Sequence, residues 1–167
     1  MRNAPLKDDL TWTRCICNNF AVAQTGTGAE LATRIVQTCL IQRARFVARK
    51  LSNDLDDNLR SLGINASQLG LLALVGYAGP IRRNEIGKMM RLEASTLTRN
   101  LRVMQTNGWI GEVHDASDRR GLPVRITSRG DALLAQTWPA WESAQQSALS
   151  VLGTEGRAVL MNFAPGP

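Results

Sequence analysis

Five side chains within one short stretch have the chemistry to read a nucleic acid. Ser95, Thr96, Thr98, Arg99 and Arg102 combine short hydroxyls with guanidinium groups, which is what base edges and phosphates require. Further along, Arg119 and Arg120 stand side by side in His114-Asp115-Ala116-Ser117-Asp118-Arg119-Arg120-Gly121-Leu122-Pro123, a polar run full of turn residues. The plain alternative for both stretches is solvation, as an exposed helix face and an exposed turn. Charge weighs against it. Between Arg82 and Arg129 lie ten basic residues (Arg82, Arg83, Lys88, Arg91, Arg99, Arg102, Arg119, Arg120, Arg125 and Arg129) and five acids (Glu85, Glu93, Glu112, Asp115 and Asp118). Ten bases against five acids leave +5 of the chain's +6 in under a third of its length. Such concentration is an electrostatic footprint rather than a uniform solubilising charge.

Other chemistries find little support. The chain of 167 residues has one histidine, His114, so a His-based metal site or a serine–histidine hydrolase is hard to build. No acid/base or nucleophile constellation stands out, and the expectation is a protein that is not an enzyme. Cys15-x-Cys17 lacks the further ligands of a zinc site, so no metal is expected. Gly26-Thr27-Gly28 lacks the lysine and preceding strand of a phosphate loop. Three cysteines, an odd count, argue against a disulfide scaffold and for a reducing compartment. The longest apolar stretch, Leu69 to Val75, falls far short of the roughly 20 residues of a membrane span. Arg2 and Lys7 are followed by Asp8 and Asp9 and no apolar run, so no secretory signal is expected. A cytoplasmic protein without a membrane partner follows. With 44% hydrophobic and 20% charged residues the composition is globular. Of the 20 basic residues only Lys7, Lys50 and Lys88 are lysines; the arginines favour bidentate phosphate and base contacts.

The elements that must position these side chains can be read from periodicity. Residues 1–28 are aperiodic and read as an arm. From 29 to 62 the pattern is helical: Ile35, Cys39, Gln42 and Phe46, then Leu51, Leu55, Leu59 and Leu62, at spacings of three and four. One helix of that length would run about 50 Å at roughly 1.5 Å per residue, too long for the core of a small monomer. It would bury its stripe against a second chain; the alternative is two shorter helices broken near Ser52-Asn53. Gly63 ends the run, and Asn65-Ala66-Ser67-Gln68 reads as a capping box. The next helix is apolar on most sides through Leu69, Leu72, Ala73 and Val75, and Gly79-Pro80 ends it. A short helix over 83–90 turns Ile86, Met89 and Met90 inward. A turn at Arg91-Leu92-Glu93 leads to a helix over 94–107 with the stripe Leu97, Leu101 and Met104, closed by Asn107-Gly108. The period then changes to that of strands at 109–113 and 124–127. Ser128 is expected to cap a helix over 129–152 that Pro139 kinks or splits, and Thr154 to cap a last one. Trp138 and Trp141 read as core or dimer packing, with a ligand-pocket wall as the alternative.

Helix, short helix, tight turn, polar-faced helix and a hairpin with a basic tip make the layout of a winged helix-turn-helix. The fold expected is mainly α with a small β-hairpin wing. The helix after the turn suits a major groove roughly 12 Å wide, and the hairpin tip suits a minor groove whose A·T tracts concentrate negative potential.

Leu92-Glu93-Ala94-Ser95-Thr96-Leu97-Thr98-Arg99-Asn100-Leu101, followed by Gly108-Trp109-Ile110, resembles the recognition helix and first wing strand of the MarR family. Asp115-Ala116-Ser117-Asp118-Arg119-Arg120-Gly121, followed by Val124-Arg125-Ile126-Thr127, resembles that family's wing signature. The resemblance spans about residues 31–165 and is strongest over 63–131. It implies an N-terminal dimerisation helix at 29–62, a DNA-binding region at 63–131 and C-terminal dimerisation helices at 132–167. The protein it implies is a homodimeric, sequence-specific regulator of transcription, a repressor that leaves a pseudo-palindromic double-stranded DNA operator when a small aromatic or phenolic effector binds. Ser95, Thr96, Thr98 and Arg99 would lie in the major groove, with Arg102 on the same face. Arg119 or Arg120 would enter the minor groove, with Asp118 orienting a neighbouring arginine. The effector pocket would lie between the dimer helices and the DNA-binding lobe, lined by Arg43, Phe46, Leu72 and Trp138. No other cofactor is implied. Thiol-based control is the alternative within the fold: Cys39 sits roughly where the organic-hydroperoxide branch of the family has its reactive cysteine, with Arg34 or Arg43 one turn away to favour a thiolate. A winged-helix module that docks on a protein, without specific DNA binding, is the alternative outside that function. One departure is plain: Glu93-Ala94 stands where the family usually has Asp-Arg, which removes one phosphate contact and a better helix cap.

Overall fold

A computed structural model describes residues 26–113 and 122–163. Helices dominate: α1 (Gly28–Thr38), α2 (Leu40–Leu59), α3 (Ala66–Ala78), α4 (Arg83–Met90), α5 (Ala94–Thr106) and α6 (Ser128–Phe163), with strands β1 (Ile110–Glu112) and β2 (Val124–Ile126) between α5 and α6. The chain divides into two units, one ending at Ala48 and one beginning at Arg49.

In the N-terminal unit the expected continuous helix is interrupted, at Cys39 rather than at Ser52-Asn53. Thr27 accepts from the backbone of Glu30 while the Glu30 carboxylate accepts from Thr27 N–H, a reciprocal cap that starts α1. Cys39 then leaves helical geometry with φ −68° and ψ 104°. Thr38 Oγ1 bonds back to the Arg34 carbonyl at 2.8 Å, a local bond that competes with regular helix continuation. The Arg43 guanidinium donates to the Gln37 carbonyl at 2.5 Å, satisfying an acceptor at the break. No residue of α1 is buried.

The second unit has a closed core. In α3, Asn65 and Gln68 form the expected capping box, and the Asp56 carboxylate accepts from Ala66 N–H at 2.6 Å. Three donors at that helix start are thereby satisfied. Leu71, Leu72 and Val75 of α3 pack with Leu59, Ile86, Leu101, Met104 and Val124, all fully buried. Each such side chain contributes about 1.5–3 kcal/mol by leaving water. Met89 was expected inward with Ile86 and is exposed instead; its neighbour Met90 packs against the core. Eight residues make little more than two turns, so α4 has room for one strongly buried position, and Ile86 takes it.

The strands pair antiparallel with Ile110 opposite Ile126, Gly111 opposite Arg125 and Glu112 opposite Val124. Ile81, just before α4, adds an isolated bridge to Val124 through two backbone bonds of 2.9 Å. The order of elements in this unit is that of a winged helix-turn-helix.

α6 differs from expectation twice. Its start is capped by Thr127 rather than Ser128: Thr127 Oγ1 accepts from Gly130 N–H at 3.1 Å. The helix also keeps helical backbone angles through Pro139, and its one non-helical residue is Gly153, at φ 65° and ψ −179°. Proline has the φ a helix needs and forfeits one hydrogen bond, whereas positive φ is where glycine has no steric penalty. Among the described residues no single helix is long and apolar enough to cross a membrane.

Candidate nucleic-acid interface

α5 owes its orientation to three side chains. Leu97, Leu101 and Met104, at the spacing of one helix face, are buried against α3 and α4. The opposite face is therefore held outward. Ser95, Thr96, Thr98, Arg99 and Arg102 are all exposed on it. The Thr98 hydroxyl donates to the Ala94 carbonyl at 2.7 Å and Asn100 Nδ2 donates to the Thr96 carbonyl at 3.0 Å, so both lie along the helix. Arg99 and Arg102 form no ion pair among the described residues and keep their full charge for an incoming anion. Glu93 at the N-cap makes no side-chain bond to the helix start, consistent with glutamate's weakness there. A groove of about 390 Å³ between α4 and α5 carries Arg83, Lys88 and Thr98 on its wall.

The turn joining α4 to α5 holds Arg91 in the left-handed region at φ 48°. Its N–H caps α4 by donating to the Lys88 carbonyl at 3.4 Å. This conformation costs a non-glycine residue about 1–2 kcal/mol, and it sets the angle between the two helices.

The base of the wing is fixed from both sides. Gly108 turns the chain out of α5 at φ 70°. The Thr127 hydroxyl donates to the Gly108 carbonyl at 2.6 Å, and Thr127 N–H donates to the Trp109 carbonyl at 3.0 Å. Gly130 permits this closeness: a Cβ there would lie 2.0 Å from the Trp109 carbonyl oxygen. On the other edge, Glu112 Oε1 accepts from Arg83 Nη2 at 2.9 Å and from Gln105 Nε2 at 3.2 Å. One carboxylate thus ties the first wing strand to both α4 and α5. This network was not anticipated; its members are 29 and 7 residues from Glu112, and only the folded chain brings them together. Arg83 is committed to it, while Arg125 on β2 is exposed. Asp118, Arg119 and Arg120 lie outside the described residues, as do His114, Cys15 and Cys17.

The residues expected around a ligand pocket do not gather. Leu72 is fully buried in the core, because α3 is enclosed on most sides. Arg43 and Phe46 belong to the N-terminal unit, where Arg43 caps the break after α1 and Phe46 is exposed. Trp138 does line a cavity, a groove of about 860 Å³ with Leu55 of α2, Leu69 of α3 and Trp141 of α6. Cys39 is half-buried at the junction of α1 and α2.

The fold and this outward-facing α5 define a winged helix-turn-helix protein. Residues 64–122 match the model of the MarR family, and through this segment the chain is a member of that family. Among curated relatives, the multiple antibiotic resistance protein MarR of Salmonella typhimurium is 32% identical over 91 residues, 54% of this chain and 63% of that protein. The uncharacterized HTH-type transcriptional regulator YwoH of Bacillus subtilis is 29% identical over 90 residues, 54% of this chain and 62% of that protein. The match thus spans a little under two thirds of these relatives. Wild-type MarR of E. coli in its apo form superposes with a TM-score of 0.62 at 26% identity, covering 74% of this chain and 93% of that one. A mutant E. coli MarR complexed with operator DNA gives a TM-score of 0.69 at 24% identity, covering 78% and 94%, and shows the shared fold.

Proposed function

We propose that the chain is a regulator of transcription that binds double-stranded DNA sequence-specifically, as a homodimer on a pseudo-palindromic operator, and represses until a small ligand binds. The observation that carries the reading is the outward face of α5: five exposed donors, two of them unpaired arginines, held by a buried stripe and flanked by a wing fixed at its base. A mutant MarR with the same fold has been crystallised with operator DNA, which supports it. So do the curated relatives, named as antibiotic-resistance and HTH-type regulators.

Seated in a major groove, α5 presents Ser95, Thr96, Thr98 and Arg99 to base edges, and Arg99 suits the bidentate contact to guanine. Arg102, Lys88, Arg125 and the wing arginines Arg119 and Arg120 contact phosphates or the minor groove, with Asp118 orienting its neighbours. Phosphate contacts supply most of the affinity and make it fall steeply with salt. The dimer is supported by exposed apolar side chains at both ends of the described chain, including Ile35, Ile41 and Phe46 before residue 49 and Val159, Leu160 and Phe163 at the end of α6. A two-fold axis then sets half-sites about one helical turn apart. The ligand acts by preferring one spacing of the two α5 helices over another, since only differential affinity shifts such an equilibrium. A cytoplasmic location goes with this role.

Selection from a random duplex pool, followed by fluorescence-anisotropy titration of the winner at several salt concentrations, tests the reading. The expected result is an enriched palindrome, bound at least about a hundredfold more tightly than scrambled DNA, with a steep salt dependence. No enrichment from reduced, ligand-free protein would overturn it and favour a protein-docking module.

A further inference from the structure

The groove lined by Trp138 has a charge character opposite to that of the rest of the protein. Its wall is built by the end of α2, the outer side of α3 and the first half of α6. Most of the lining is apolar, including Leu55, Leu69, Ala73 and Leu134, and Trp138 and Trp141 stack at 4.9 Å between ring centroids. Among its lining residues one is ionisable, and it is an acid, Asp131. The chain as a whole carries +6, so an acid facing an aromatic groove, with no base beside it, runs against the overall composition.

Two further features favour a cation over an anion. Thr137 is buried, and its hydroxyl already donates to the Leu134 carbonyl at 2.7 Å, so that proton is unavailable to a ligand. Pro139 has no N–H, and so the carbonyl of Ala135, also on the wall, lacks its usual helical donor. An anionic ligand would meet no cation here. A cationic one would meet a carboxylate and two indole faces, which attract cations through the ring quadrupole. Asp131, Leu134, Ala135, Trp138 and Trp141 recur at helical spacing along one face of α6. Seven residues separate Asp131 from Trp138, roughly 10 Å along the axis. The volume of about 860 Å³ suits a drug-sized molecule.

We propose that this groove binds lipophilic aromatic cations: the charged head lies at Asp131 and the apolar body against Trp138 and Trp141. The proposal rests on the reading of a ligand-responsive regulator and gives that ligand a charge, the reverse of what a phenolate or aromatic carboxylate would carry. An adjoining groove shares Leu55, Ala66 and Trp141 but carries Arg157 as its ionisable residue. It is the natural competitor for anions.

Three matched probes, phenylhexylamine, phenylhexanol and phenylhexanoate, are titrated into the full chain and followed by tryptophan fluorescence and calorimetry. The amine is expected to bind about tenfold more tightly than the carboxylate, with the alcohol between them. D131N should abolish the amine's advantage while leaving the alcohol unchanged, and W138A should weaken all three. Tighter binding of the carboxylate, lost in R157Q, would place the ligand in the adjoining groove and overturn the proposal. So would an amine preference that survives D131N, or no binding by any probe. A separate titration of the operator duplex with and without amine isolates the underlying reading. Amine binding that leaves DNA affinity unchanged would remove ligand control while the charge selectivity stands.

Discussion

Two regions of this chain solve the hydrophobic problem differently. From Leu59 to Leu133 the large apolar side chains close on one another, and nine residues between Leu59 and Val124 are at 2% exposure or less. Along α1 and the first turns of α2 none is buried: Ile35 is 59% exposed, Leu40 69% and Phe46 65%. The end of α6 repeats this, with Phe163 at 86%. Amphipathic helices that leave this much apolar surface open are unfinished as isolated elements. The contrast teaches a division of labour. The winged-helix region completes its core within one chain and so can hold α5 rigidly. The flanking helices need a second surface, and a second copy is the surface we propose.

The largest effect is expected where the winged-helix region has no slack. Gly130→Ala forces a Cβ onto the Trp109 carbonyl oxygen and should cost about 3 kcal/mol or more in denaturant unfolding, releasing the wing from α6. A loss below about 0.5 kcal/mol would mean that the wing base is not the tight junction described. A smaller effect, and of another kind, is expected in the flanking helices. Phe46→Ser should weaken self-association by about 2 kcal/mol, as truncation of an aromatic interface anchor does. Sedimentation across a concentration series checks this. A monomer before substitution, or an unchanged dimer after it, would break the comparison. The smallest effect belongs to Glu112→Gln. The Arg83–Glu112 pair is exposed at 44% and 36%, so stability should change by under about 1 kcal/mol. Freeing the Arg83 charge should steepen the salt dependence of DNA binding by about one unit of slope. An unchanged slope would show that Arg83 never reaches a phosphate.

Local signals carried most of the winged-helix region into legibility. Asn65 and Gln68 announce α3 because a capping box is a short-range device, and Leu97, Leu101 and Met104 announce the buried side of α5 because helical period maps directly onto a face. What escaped was decided by geometry at longer range or by small differences. The break at Cys39 has no glycine or proline to mark it. It shows only in bonds from Thr38 and Arg43 to nearby carbonyls. Thr127 and Ser128 are adjacent hydroxyl residues, and the backbone decides which one caps α6. Pro139 looked like the interruption in α6 and Gly153 proved to be it, since proline's φ is helical and the positive φ at 153 is not. The candidate ligand residues fared least well. Leu72 was lost to the core and Arg43 to a helix end, while Asp131, Leu134 and Trp141 joined Trp138 around the groove. Pocket walls combine residues from three helices, and periodicity reports each helix alone.

The central claim is that the outward face of α5 reads DNA sequence. Arg99→Ala tests it most directly, by anisotropy on the selected duplex and on a scrambled one at matched salt. The account predicts a loss of about 1–3 kcal/mol on the selected duplex and a narrowed preference over the scrambled one, with the fold intact because Arg99 is exposed. Unchanged affinity and preference on the selected duplex would contradict it.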